Sequence, residues 1–266
     1  MSETNFVKTT IDTRGIATVM IDRADKHNAF NAEIIAELTD ALLAVGRNDD
    51  VRVVILTGDG KSFSAGADLN WMKSMASYSE DENLEDSLKL AELMQVLDNL
   101  PKPTIARVNG HVFGGGVGLV ACCDIAIAAE HARFALSEVK LGLVPAVISP
   151  YVIAAIGERH ARRFFLTAEA MDCATARHIG LVHESVPLDE LDSAVEKEIE
   201  LLLAGGPAAQ RAAKELVRQV CHHGDDAEQH LIKTTAELIA QIRVSDEGQE
   251  GLGAFLDKRP PNWIKD

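Results

Sequence analysis

Residues 51–56 form a nearly continuous apolar run, Val51-Arg52-Val53-Val54-Ile55-Leu56. A strand of that composition suits a sheet covered on both faces, which points to strands joined by helices that pack over them. The neighbouring patterns supply both. Asn31 can cap a helix that places Ile34, Ile35, Leu38, Leu42 and Val45 on one face at the 3.6-residue period. Leu84, Leu88 and Leu97 fit a second helix, ended by Pro101-Lys102-Pro103. Thr104–Val108 and 125–128 read as further strands, and 57–69, rich in Gly and Ser, as a loop. At the start, 6–11 and Ile16–Ile21 are β-rich runs joined by Asp12-Thr13-Arg14-Gly15, a hairpin signal.

Beyond about residue 187 the texture changes. Helical patterns follow one another at 188–203, 207–220, 227–242 and 247–255 with no convincing strand. The order is a hairpin, repeated strand–helix units and an all-helical final third, which predicts an α/β core over 1–187 and a helical region over 188–266.

Composition narrows the function. The 266 residues carry a net charge of −15 with a pI near 5.0. That balance argues against a nucleic-acid surface, which needs clustered Lys and Arg. The N-terminal residues lack the basic and apolar regions of a secretory signal. The charge-free stretch 108–123 has sixteen residues and five glycines, too short and too Gly-rich for a membrane span. Cys122, Cys123, Cys173 and Cys221 show no CxxC spacing and read as reduced thiols, so the expected location is the cytoplasm and no metal is expected.

Two glycine clusters stand at the ends of strand-like runs: Ser64-Ala65-Gly66-Ala67-Asp68 and Gly114-Gly115-Gly116-Val117-Gly118. Free backbone N–H groups there can bind a developing oxyanion. Tight helix–strand packing would demand the same glycines, and spacing alone does not separate the two. Nucleotide loops are excluded: Leu119 stands where a dinucleotide fingerprint needs its third glycine, and Gly60-Lys61-Ser62 lacks the opening glycine of a P-loop. No HExxH or nucleophile elbow is present. Glu138, in Phe134-Ala135-Leu136-Ser137-Glu138-Val139-Lys140, can serve as a general acid or base if its surround raises its pKa. Composition alone favours the plainer reading, a half-exposed Glu paired with a nearby Lys.

These motifs resemble the enoyl-CoA hydratase/isomerase (crotonase) superfamily over nearly the whole chain. The landmarks, in the family's order, begin with Asn28-Ala29-Phe30-Asn31, the first glycine cluster with Leu69, and Pro101-Lys102-Pro103. Asn109-Gly110, Gly114-Gly115-Gly116, Cys123-Asp124 and Ser137 to Gly142 come next. Leu166-Thr167-Ala168, Gly180-Leu181-Val182 and Phe255-Leu256-Asp257-Lys258-Arg259-Pro260 complete them. The resemblance implies a spiral of β–β–α units with a C-terminal helical region that builds homotrimers, often paired into hexamers. It implies an acyl-coenzyme A thioester as substrate, no separate cofactor, and no nucleic-acid or membrane partner. It places the oxyanion hole at the N–H groups of Ala67 and Gly115 and the acid/base at Glu138. Its substrate-binding set maps onto Lys26, Ala65, Asp68, Leu69, Gly116 and Gly118, with Lys258 from a neighbouring subunit.

The departures are informative. Hydratases of the family carry two glutamates; the first falls here on Gly118. Where many relatives read Pro-Gly-Gly-Gly-Gly, this chain has Pro145-Ala146-Val147-Ile148-Ser149-Pro150. Together they resemble a bacterial subgroup that hydrates branched, carboxylated esters in leucine or acyclic-terpene breakdown. The expected substrate is 3-methylglutaconyl-CoA, its distal carboxylate filling the space left open at Gly118, with Lys73, Arg159 and Arg162 as candidate cations. A Δ3–Δ2 enoyl-CoA isomerase using one glutamate is the alternative, and a non-catalytic or RNA-binding member of the fold a lesser one. Trp71, Met72 and Met75 either line the acyl side or pack on a neighbouring helix.

Overall fold

Strand pairing shows how the chain is wound. A computed structural model of the protein describes residues 5–75, 77–221, 238–239, 241–243 and 245–264. The helix expected at 227–242 falls mostly outside these residues. The chain divides into two compact units, Met1–Leu100 with Thr104–Glu196, and Pro101–Pro103 with Lys197–Asp266.

In the first unit, β1 (Val7–Ile11) and β2 (Ile16–Ile21) form the expected antiparallel hairpin. Three strand pairs follow: β3 (Val53–Gly58) with β4 (Ser62–Ser64), β5 (Thr104–Val108) with β6 (His111–Phe113), and β7 (Ile125–Ala129) with β8 (Arg133–Ala135). The first member of each pair joins a six-stranded sheet ordered β1-β2-β3-β5-β7-β10, closed by β10 (Glu184–Val186). The second joins a four-stranded sheet ordered β4-β6-β8-β9, closed by β9 (Met171–Asp172). Each turn of the chain therefore lays one strand in each sheet, all in parallel within a sheet, before a helix returns it. This is the expected spiral of β–β–α units.

The helices form where the sequence provides caps and a stripe. Helix α1 (Ala32–Arg47) opens with the Asn31 side chain accepting from the Ile34 N–H at 2.9 Å and buries the anticipated apolar face. A short helix, α2 (Leu69–Met75), follows the first glycine cluster. Helix α3 (Glu80–Asp98) begins with a reciprocal capping box between Ser79 and Glu82. Its buried face corrects the expected one: Leu93, Met94 and Leu97 are buried, whereas Leu84 and Leu88 are more than half exposed. Helix α4 (Gly115–Cys122) follows the second glycine cluster, and α5 (Ser149–Thr167) follows the segment after Glu138.

The central run 51–56 becomes strand two residues later than its apolar start, and all six residues of β3 are buried. Several landmarks hold loops to strands. The Asn28 side-chain amide donates to the Asp59 and Ser62 carbonyls at 2.9 and 2.7 Å, and the Ser64 hydroxyl returns a bond to the Asn28 carbonyl. Asn109 donates to the Gly60 carbonyl, and the Asp124 carboxylate accepts from both the N–H and hydroxyl of Thr104. The second unit contains the helices Pro207–Cys221 and Asp246–Asp257.

Candidate active site

The two glycine clusters meet. Gly66 has φ +82°, and a Cβ built on it would lie 2.9 Å from the Phe113 carbonyl oxygen and 3.6 Å from the Gly114 Cα. Gly114 has φ +51°, and its own Cβ would lie 3.4 Å from Glu138 Oε1. Gly66 needs glycine for both conformation and close approach, and Gly114 for conformation. A cavity of about 450 Å³ opens beside them, lined by Ala65, Gly66, Ala67, Gly114, Gly115 and Glu138 among others.

The donors are set by the backbone. Phe30 and Ala67 form an isolated parallel bridge in which the Phe30 N–H reaches the Gly66 carbonyl and the Asp68 N–H reaches the Phe30 carbonyl. Such a bridge uses the residues flanking Ala67, so the Ala67 N–H turns away from Phe30. Gly115 is the first residue of α4, where N–H groups lack intrahelical acceptors and the helix dipole is positive. A side chain at Gly115 would come within 2.9 Å of the buried Phe30 ring. Ala67 and Gly115, one from each cluster, both line the cavity, where backbone N–H groups can stabilise a developing oxyanion.

Glu138 opens a short 3₁₀ turn, Glu138–Leu141, directly after β8 and Ser137. Its Oε2 is buried without a hydrogen-bond partner among the described residues. Burial pushes its carboxyl above the usual carboxylate range, opposed only by its own backbone N–H. Among the described residues no lysine pairs with it: Lys140 donates to the Ala168 carbonyl instead, at 2.9 Å. A desolvated carboxyl with no counter-ion among the described residues can serve as a general acid/base.

The other expected residues divide. Ala65 and Leu69 line the cavity, and the Ala65 N–H is bonded to the His27 carbonyl. Lys26 ends the exposed turn just before His27. Asp68 does not line the cavity. Burial would raise its pKa, but the N–H groups of Asn70 and Trp71 and the Arg23 guanidinium, 3.1 Å away, hold it below the usual range. It anchors the start of α2. Gly116 is buried, packed against Ser64. Lys258, in the second unit, is exposed and ends the helix Asp246–Asp257 with φ 54°.

Gly118 requires correction. It is buried, does not line the cavity, and leaves no open space: a Cβ there would lie 2.3 Å from Ile148 Cγ2 and 3.2 Å from Met94 Sδ. The departures at 118 and at 145–150 are therefore one feature, since Ile148 fills the volume that a side chain at 118 would need. Trp71, Met72 and Met75 all line the cavity, and Trp71 also packs against the core. Lys73, Arg159 and Arg162 do not. Asp86, Ser87 and Leu90 of α3 also line it. The signal for Asp86 was its spacing from Leu90, Leu93 and Leu97, which continues the buried stripe one turn towards the N-terminus.

Comparison with known proteins agrees with this geometry. The family model described as enoyl-CoA hydratase/isomerase matches residues 12–266. The solved structure of an enoyl-CoA hydratase from Shewanella pealeana is 46% identical with a TM-score of 0.93, covering 98% of this chain and 97% of that one. Crotonyl-CoA hydratase of Syntrophomonas wolfei is 32% identical over 251 residues, 94% of each chain. The 2,3-dehydroadipyl-CoA hydratase of Escherichia coli is 31% identical over 256 residues, 93% of this chain and 94% of its own.

Proposed function

We propose that this chain, which belongs to the enoyl-CoA hydratase/isomerase family, adds water across the C2–C3 double bond of an enoyl-CoA thioester with Glu138 as acid/base. The observation that carries the reading is one cavity lined by Ala67, Gly115 and Glu138, whose buried Oε2 has no hydrogen-bond partner among the described residues. The thioester carbonyl would accept from the two N–H groups. As water oxygen bonds to C3, the π electrons move to the carbonyl oxygen and the two donors stabilise the enolate. Glu138 takes the proton lost by the water and delivers it to C2, so one carboxyl serves both halves of the addition.

The acyl group follows from the lining. The relatives' names span an uncharged chain, crotonyl, and a carboxylated one, 2,3-dehydroadipyl. Asp86 and Glu138 line this cavity, and no Lys, Arg or His does among the described residues. A distal carboxylate would meet like charge with no cation lining the cavity among the described residues, at a desolvation cost. An uncharged acyl chain therefore ranks ahead of 3-methylglutaconyl-CoA. One observation favours the isomerase as a second reading: Ile148 closes the position of a second carboxylate, leaving Glu138 to move a proton between C2 and C4 unaided.

Initial rates on crotonyl-CoA and 3-methylglutaconyl-CoA, followed by loss of the conjugated thioester absorbance, test the proposal. Crotonyl-CoA is expected to turn over faster, and Glu138→Gln to lower its rate by roughly 10²–10⁴. A variant within a few-fold of the parent would remove Glu138 from the chemistry.

A further inference from the structure

Trp71 and Asp86 are polar groups that the hydration chemistry leaves unused. Both line the cavity, alongside the apolar side chains of Met72, Leu90 and Ile148. The Trp71 indole Nε1–H is buried without a full hydrogen bond. Burial holds the Asp86 carboxyl above its usual range, and Lys89 and the indole N–H draw it only partly back. The indole and the carboxyl are thus close neighbours, and the indole N–H is the one short of a partner among the described residues, beside apolar side chains suited to hydrocarbon. A buried donor left unpaired costs stability unless a ligand completes it.

We propose that Trp71 and Asp86 form a subsite that recognises a hydroxyl group on the acyl chain of the thioester. A hydroxyl oxygen accepts from the indole N–H while its hydrogen is donated to the carboxylate, so one group satisfies both. A methyl end satisfies neither. A carboxylate end accepts from the indole but opposes Asp86. The subsite rests on the enoyl-CoA reading of the cavity, and it sets which chains that site prefers.

Binding is measured by calorimetry with three saturated six-carbon acyl-CoA probes, which cannot be hydrated, ending in methyl, hydroxymethyl and carboxylate. Hydration of the corresponding 2-enoyl esters is followed separately. The hydroxylated probe is expected to bind about tenfold more tightly than the methyl-ended one, the scale of one hydrogen bond to a charged group. Both Trp71→Phe and Asp86→Asn are expected to bring that ratio close to one, and two independent variants guard against a folding defect in either. Equal binding by the parent, tightest binding of the carboxylated probe, or no binding of any probe would overturn the subsite. Discrimination among saturated probes without hydration of the enoyl esters would support the subsite and overturn the hydratase reading.

Discussion

Replacing Glu138 by Gln removes a carboxyl that burial keeps above the usual range. A folded-state pKa above the unfolded value means that the native chain holds this proton more tightly. The contribution to stability is full below the unfolded carboxylate pKa of about 4.3 and is lost as pH rises through the folded value. Glu138→Gln is therefore expected to be more stable than the parent at neutral pH and equal to it in acid, as measured by urea unfolding across that range. A variant less stable at neutral pH would mean that the charged form is held by partners. Gly118 gives a second test. Gly118→Ala drives a methyl into Ile148, at a cost of about 1–3 kcal/mol for overpacking, and the added change Ile148→Ala is expected to recover most of it. Additive losses in the double variant would refute the coupling.

Helix α2 depends on an anchor outside the cavity. Asp68 holds its first N–H groups and pairs with Arg23, and both side chains are largely buried. Asp68→Asn should lower stability by about 1–3 kcal/mol, the scale of a charged hydrogen bond. Because the Asp68 pKa is depressed, the difference from the parent should persist at neutral pH and vanish as pH falls through the folded value. A difference that persists in acid would mean that packing dominates. The elements also show what could be read beforehand. Helix α1 was legible from its cap and stripe, and Thr104–Val108 from its β-rich run, because local pattern and burial coincide there. The strands β4, β6 and β8 have three residues each, too few to show alternation, and pair with segments tens of residues away. In α3, Leu84 and Leu88 diverted the reading because apolar residues near a cavity can stand exposed while Asp86 takes the inward face.

At the scale of the molecule, the alternation of strands between two sheets brings Gly66, Gly114 and Glu138 together although they are far apart in sequence. Glu138 was legible through the family resemblance, but its missing lysine partner and the filled space at Gly118 depend on packing that no motif records. Assembly is a further expectation at this scale. Phe255 and Leu256 are 81% and 75% exposed, a large apolar surface for a chain expected to form trimers. Light scattering is expected to give three or six times the chain mass, falling in a Phe255→Asp, Leu256→Asp variant; a monomeric parent would contradict it. The central claim, addition of water under the control of Glu138, is tested most directly by mass spectrometry of crotonyl-CoA incubated with the parent enzyme in D₂O. The account predicts a product that has gained one heavy water, with one deuterium retained at C2, and almost none with Glu138→Gln. A product of unchanged composition apart from exchanged deuterium would contradict it, as would full hydration by the variant.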